Sequence, residues 1–186
     1  MLVRDMRSPA RGVPGPNRRW ILVNAIGVTA CVNLVLNAGI ALVSVIGADT
    51  VPVWSAPLLG GPSIVADTIG TLFTLPLVTC LLCTTSVWWE LRSGRLTPIT
   101  APGAVRSLLG RVPARRLRRG LAFGTGTALV LGPPTIGLIL ALPLDELSPA
   151  AFVVYKVAFA IGLGALVTPL IALRAMADVE HHDSRG

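Results

Sequence analysis

The sequence predicts an all-α integral membrane protein: four transmembrane helices, arranged as two helix hairpins, with both termini cytoplasmic. Three observations lead there. The 186 residues are 53% hydrophobic and 13% charged, with a mean hydropathy of +0.73. A soluble domain carries about 25% charged residues, so the charge needed to cover a water-facing surface is missing, which argues against an ordinary soluble enzyme. Second, apolar runs of about 20 residues, the length that crosses a hydrocarbon core of about 30 Å, occur four times. Third, the arginines behind the +7 formal charge and the pI near 11.0 alternate between connections.

In chain order, residues 1–19 are rich in Arg, Pro and Gly and read as a disordered basic tail. The first hairpin is 20–89, with spans 20–46 and 64–89. An arginine-rich loop, 90–120, follows; Pro98, Pro102, Gly103 and Pro113 interrupt it, leaving 104–109 as one short surface helix. The second hairpin is 121–173, with spans 121–142 and 150–173, and a second tail occupies 174–186. Continuous rather than alternating apolar runs argue against a β-barrel.

Orientation follows from the basic residues. The first tail holds Arg4, Arg7, Arg11, Arg18 and Arg19, and the central loop holds Arg92, Arg95, Arg106, Arg111, Arg115, Arg116, Arg118 and Arg119. The connections 47–63 and 143–149 hold only Asp49, Asp145 and Glu146. By the positive-inside rule the tails and central loop are cytoplasmic, in a bacterial cytoplasmic membrane. Trp20, Trp88 and Trp89 fall at that interface and Trp54 in the first outer connection, as an aromatic belt requires. The segment Asn17-Arg18-Arg19-Trp20-Ile21-Leu22 is similar to a twin-arginine signal, but no small-x-small pattern closes the run, so a retained first helix is expected. Arg115, Arg116, Arg118 and Arg119 are candidates for anionic lipid headgroups, at about 1 kcal/mol each near the surface; the plainer reading is a charged topology determinant. Nucleic acid is not an expected partner, because aromatics are only 5%.

Two motifs invite chemistry. Cys80-Leu-Leu-Cys83 on the second helix resembles the pair in four-helix membrane oxidoreductases that pass disulfides to quinones. In that family the pair sits at the outer end and a second pair lies in an outer loop; here it lies toward the cytoplasm, and Cys31 is inside span one. Packing is therefore the expected role, since reactive thiols need an exposed, electropositive setting. The tail segment Asp178-Val-Glu-His-His-Asp183 carries metal-competent groups, but the chain has no further His to complete a shell. No phosphate-cradling glycine loop or nucleophile elbow occurs, so neither metal nor cofactor is expected.

The polar residues inside the spans are more informative. Asp67 in span two and Lys156 in span four lie about 5 and 9 Å deep at 1.5 Å per residue, close enough to pair. An ionisable group at depth costs several kcal/mol and is normally paired or faces a cavity. Of 16 basic residues, Lys156 is the one lysine; snorkelling to the surface is the alternative. Asn33, Asn37 and Ser44 share a face of span one, and Ser63, Asp67, Thr71 and Thr74 share one of span two. Gly132-Pro133-Pro134-Thr135 is expected to break span three and free the carbonyls of Leu129 and Val130, one of which Asn37 is placed to satisfy. Packing glue is the favoured role for Asn33.

Small residues recur every four positions as Gly120, Gly124, Ala128 and Gly132 in span three, and as Ala160, Gly164, Thr168 and Ala172 in span four. Such seams let helix backbones approach closely. The combined expectation is a bundle sealed on its cytoplasmic half and opening outward into a polar pocket of Asn33, Asn37, Asp67, Thr71, Pro133 and Lys156.

Thr74-Leu-Pro-Leu-Val-Thr79 and Val167-Thr-Pro-Leu-Ile-Ala172 end the second helix of each hairpin alike, as a parallel repeat would. Asp67-Thr-Ile-Gly-Thr71 with Leu75-Pro76, and Lys156 with Thr168-Pro169-Leu170, resemble a group of small four-helix bacterial inner-membrane proteins described loosely as permease-like. That resemblance implies a transport-associated component and no catalytic residue. Four spans leave little room for a pathway, so a homo-oligomer or a partner membrane subunit is expected. The alternatives are a non-catalytic accessory subunit of a larger complex, or a membrane-embedded enzyme on a lipid or isoprenoid, which would need more acids than one aspartate supplies.

Overall fold

The computed structural model describes residues 10–11, 13–55, 63–100, 113 and 115–177. It contains four helices long and apolar enough to cross a membrane: α1 (Gly15–Ser44), α2 (Ile64–Arg92), α3 (Arg116–Ala141) and α4 (Pro149–Ala177). The chain is thus a multi-pass helical membrane protein by length and composition. Four two-residue strands flank the helices: β1 (Ala10–Arg11), β2 (Val51–Pro52), β3 (Ile99–Thr100) and β4 (Glu146–Leu147).

Local chemistry sets the helix ends. Helix α1 starts ahead of Trp20, with proline in its first turn, where the missing N–H costs nothing. Its stretch Ile21–Val28 is wound wider than the α-helical turns on either side. The Ser63 hydroxyl accepts from the Ala66 N–H at 3.3 Å to cap α2. At the other end Gly94 takes φ +73°, while Arg95 N–H donates to the Glu90 carbonyl and Gly94 N–H to that of Leu91, both at 3.1 Å. That is a Schellman closure, which needs a left-handed residue at this point. Helix α4 opens on Ser148, whose hydroxyl accepts from Ala151 N–H, followed by Pro149.

Two expectations change here. The tail assigned to 1–19 is helical from Gly15, and β1 pairs in parallel with β3; the first nine residues lie outside the described set, as do the short helix expected at 104–109 and the metal-competent tail 178–183. Span three is not broken: α3 runs continuously through Pro133 and Pro134, as α2 does through Pro76 and α4 through Pro169. A helix in lipid has no water to take up freed carbonyls, so small local adjustments are cheaper than a break. Leu129 and Val130 are each 70% exposed, facing away from the bundle, and the Asn37 amide donates instead to the Asn33 carbonyl at 3.0 Å.

The two helices of each hairpin are not each other's main packing partners. Helix α3 packs on α2, α2 on α4, and α4 on α1, giving the order α3–α2–α4–α1. Strand β2 pairs antiparallel with β4, so both acidic connections meet at one end, and β1 and β3 meet with the first and central arginine-rich segments at the other. One apolar cluster, including Leu72, Cys80, Val87, Leu163, Ile171 and Met176, fills the half nearer the arginine-rich end. A second, built from Ala41, Val45, Val51, Val53, Ile64, Val65, Ile139 and Phe152, joins all four helices to β2 at the opposite end. The two proline-containing segments of the repeat do not sit level: Pro76 lies nine residues from Asp67, and Pro169 lies thirteen from its partner Lys156.

Candidate functional site

The packing order leaves α1 and α2 apart. Between them runs a groove of about 490 Å³, walled by these two helices alone and backed by α4, which packs on both. Its α1 wall runs from Trp20 to Ile40 and its α2 wall from Thr71 to Glu90. That is about 30 Å at 1.5 Å per residue, the thickness of the hydrocarbon core. The rims are apolar and exposed: Val28, Val32, Leu36 and Ile40 on one side, Val78 and Leu82 on the other. Its polar lining is Asn33, Thr71 and Thr79, which are buried, Asn37, which is half-buried, and Asn24, Thr74 and Ser86, which are exposed like the rims.

One asparagine holds α1 against α4. Asn33 is buried and donates to the Ala160 carbonyl of α4 at 3.4 Å. Gly164 makes room for it, since a Cβ there would stand 2.5 Å from the Asn33 amide nitrogen. Because Asn33 is level with Ala160, Asn37 is level with Lys156, one turn further toward the acidic end.

Lys156 and Asp67 form the expected ion pair, Nζ donating to Oδ1, with side chains 4% and 20% exposed. Beside it the Tyr155 and Thr68 hydroxyls share a hydrogen bond of 2.7 Å, and Thr68 also donates to the Ile64 carbonyl. The pair does not line the groove; it lies level with Asn37 near the acidic end, where the second apolar cluster and the β2–β4 pair close the bundle. Among the described residues the groove is accessible along its side, between the exposed rims. Of the six pocket residues predicted, Asn33, Asn37 and Thr71 line the groove, while Asp67 and Lys156 face each other near its acidic end. Pro133 is exposed on α3 and joins neither group.

The small-residue seams are close helix contacts. Gly120 and Gly124 lie on α2: Cβ atoms there would stand 2.7 Å from the Leu77 side chain and 2.6 Å from the Phe73 carbonyl oxygen. Gly132 is buried on the same stripe and Ala128 packs against the larger cluster. The α4 seam, Ala160, Gly164 and buried Thr168, serves α1 and α2; Thr168 donates to the Gly164 carbonyl at 2.6 Å. Cys80 and Cys83 are buried in the core, and Cys31 is exposed.

At the arginine-rich end the four proposed headgroup arginines divide. Arg115, Arg116 and Arg118 are exposed. Arg119 is buried and donates to the Pro113 carbonyl at 3.3 Å, so it belongs to the packing and not to a headgroup surface. The Arg92 guanidinium stacks 3.6 Å from the Trp88 ring, with that of Arg116 at 5.6 Å. Sequence reasoning missed Asn17. It is fully buried and holds Thr97 twice, donating to its carbonyl at 2.7 Å and accepting from its N–H at 3.2 Å. The signal was Pro16, which marks a helix start and puts Asn17 inside the helix.

A second cavity of about 570 Å³ lies at this end, lined by Gly15, Pro16, Arg19, Val23, Arg95 and Leu96 and sharing Trp20, Asn24 and Glu90 with the groove. Arg95 Nε pairs with Glu90 at 2.6 Å. Comparison of the chain with family models, curated proteins and solved structures finds no match.

Proposed function

We propose that the chain is a permease-like, transport-associated component of a bacterial cytoplasmic membrane, with both termini cytoplasmic, that holds a membrane-borne amphiphile in the groove between α1 and α2. The observation that carries this reading is the groove itself. It is as long as the hydrocarbon core, open along its side, and lined by more polar side chains than contact with lipid tails requires. Its volume falls in the range of small-molecule sites. The Asp67–Lys156 pair at its acidic end is the kind of paired intramembrane charge that accompanies substrate pathways.

Native mass spectrometry of gently extracted protein tests this. The wild-type chain is expected to retain a bound amphiphile that Val32→Trp, which fills the groove from its rim, removes. Equal retention by both counts against the reading. Reporter fusions at each terminus test the orientation that the arginines support.

The accessory-subunit reading has one observation of its own. Only 11% of the apolar window of α1 is buried, against 50% for α2, leaving α1 the widest surface for a second copy or a partner subunit. A hetero-complex that survives extraction and is lost on substituting exposed α1 residues such as Val35 and Val43 favours that role. The enzyme reading is the weakest, because the Asp67 carboxylate is already paired with Lys156.

A further inference from the structure

Resting on the groove reading above, we infer that the occupant is an anionic phosphoglyceride of the cytoplasmic leaflet. One acyl chain lies between α1 and α2, and the phosphodiester sits at Arg19 and Arg95. The two cavities adjoin, with Trp20, Asn24 and Glu90 in the lining of both. Their linings differ in chemistry as the two ends of a lipid do. From Trp20 inward the walls at one-leaflet depth, about 15 Å or ten residues, carry Val28, Val32, Leu82 and Cys83 together with Asn24, Thr29 and Ser86. Outside Trp20 the lining turns to two guanidinium groups and one carboxylate.

Charge selects the headgroup. Glu90 is paired with Arg95 through Nε, so the cavity keeps one net positive charge, the complement of a monoanionic phosphodiester. The Schellman closure at Gly94 fixes Arg95 relative to Glu90, and Arg95 Nε also donates to the Ser93 hydroxyl at 3.1 Å. The Arg95 side chain, 71% exposed, lines the second cavity with its guanidinium open to solvent. Trp20 stands where the two cavities adjoin, at the depth where an indole ring spans tail and headgroup. A soluble phosphate would leave the apolar stretch unfilled, and a neutral lipid would leave the arginines unused.

The test titrates delipidated full-length protein with phosphatidylglycerol, phosphatidylcholine or glycerol 3-phosphate and counts bound molecules by native mass spectrometry. Phosphatidylglycerol is expected to bind at one equivalent, above phosphatidylcholine, with glycerol 3-phosphate not retained. Arg19→Gln and Arg95→Gln are each expected to lower phosphatidylglycerol binding about fivefold, since a basic residue near the surface contributes about that factor, and to leave phosphatidylcholine binding unchanged. Leu82→Trp should remove that equivalent of either lipid. If phosphatidylglycerol and phosphatidylcholine bind alike, or the arginine variants bind phosphatidylglycerol as the wild type does, the headgroup assignment is overturned while the groove stands. Retention of glycerol 3-phosphate also overturns it. If Leu82→Trp leaves all binding intact, the groove reading falls with it. Helix content by circular dichroism confirms that each variant is folded.

Discussion

Helices α1 and α3 sit at the two ends of one row, each docked on an inner helix, and they are held by opposite means. Helix α3 meets α2 through Gly120 and Gly124, close enough that a methyl group would strike Leu77 and the Phe73 carbonyl. Nothing intervenes, and lipid is excluded along the seam. Helix α1 meets α4 through an amide, Asn33 to Ala160, fitted over Gly164, and stands off from α2 along the groove. Glycine contacts gain dispersion and burial at the shortest possible spacing; a polar side chain gains one hydrogen bond worth about 0.6 to 2 kcal/mol and holds the helices further apart. The groove exists because one end of the row uses the second method.

The largest effect is expected from the axle that both ends share. Lys156→Met leaves the Asp67 carboxylate without its partner and should cost about 3 kcal/mol, read as a shift in the denaturant midpoint in mixed micelles. The Lys156→Met, Asp67→Asn double variant should recover most of that loss; a single variant as stable as the wild type would show that the pair holds nothing together. Next, Gly124→Ala should cost about 2 kcal/mol, because the atom it strikes is backbone that cannot swing aside. Gly126→Ala, with open space at the same test position, should stay within about 0.5 kcal/mol of wild type. Equal effects at the two glycines would break the contrast drawn above.

On the α1 side, Asn17→Ala should cost about 1 kcal/mol and, more tellingly, speed hydrogen exchange at the Thr97 amide, which donates to Asn17. Unchanged exchange there would remove the clamp from the account. The smallest effect is expected at Asn33→Leu, about 0.6 kcal/mol, additive with Gly124→Ala because the two seams share no side chain. Marked non-additivity would mean that the two ends of the row communicate.

How much of this could be read from residues alone depends on whether the feature is local. The four helices follow from run length and hydropathy, and their ends from Ser63, Ser148, Pro149 and Gly94. The Asp67–Lys156 pair follows from matching depth, since two charges in a thin slab have few alternatives. Partner choice was not legible: a glycine stripe announces close approach without naming the neighbour, and the stripes on α3 and α4 serve α2 and α1, not each other. Pro133-Pro134 misled because the proline rule weighs a lost hydrogen bond against water, which a lipid-facing helix does not meet. Arg119 read as surface because its neighbours are; only the path of the chain at Pro113 turns it inward.

The packing order also sets a schedule. Helix α3 can settle on α2 as soon as it emerges, because its neighbour is already in the membrane. Helix α1 enters first, yet its neighbour is α4, which begins at Pro149, and Ser44 and Pro149 are 105 positions apart. At about 5 to 20 residues per second, α1 waits roughly 5 to 20 s alone among lipids before the surface it will dock on exists. The earliest helix made is the last to find its place, and whatever lipid lies along it during that interval is the first candidate to be enclosed when α4 arrives.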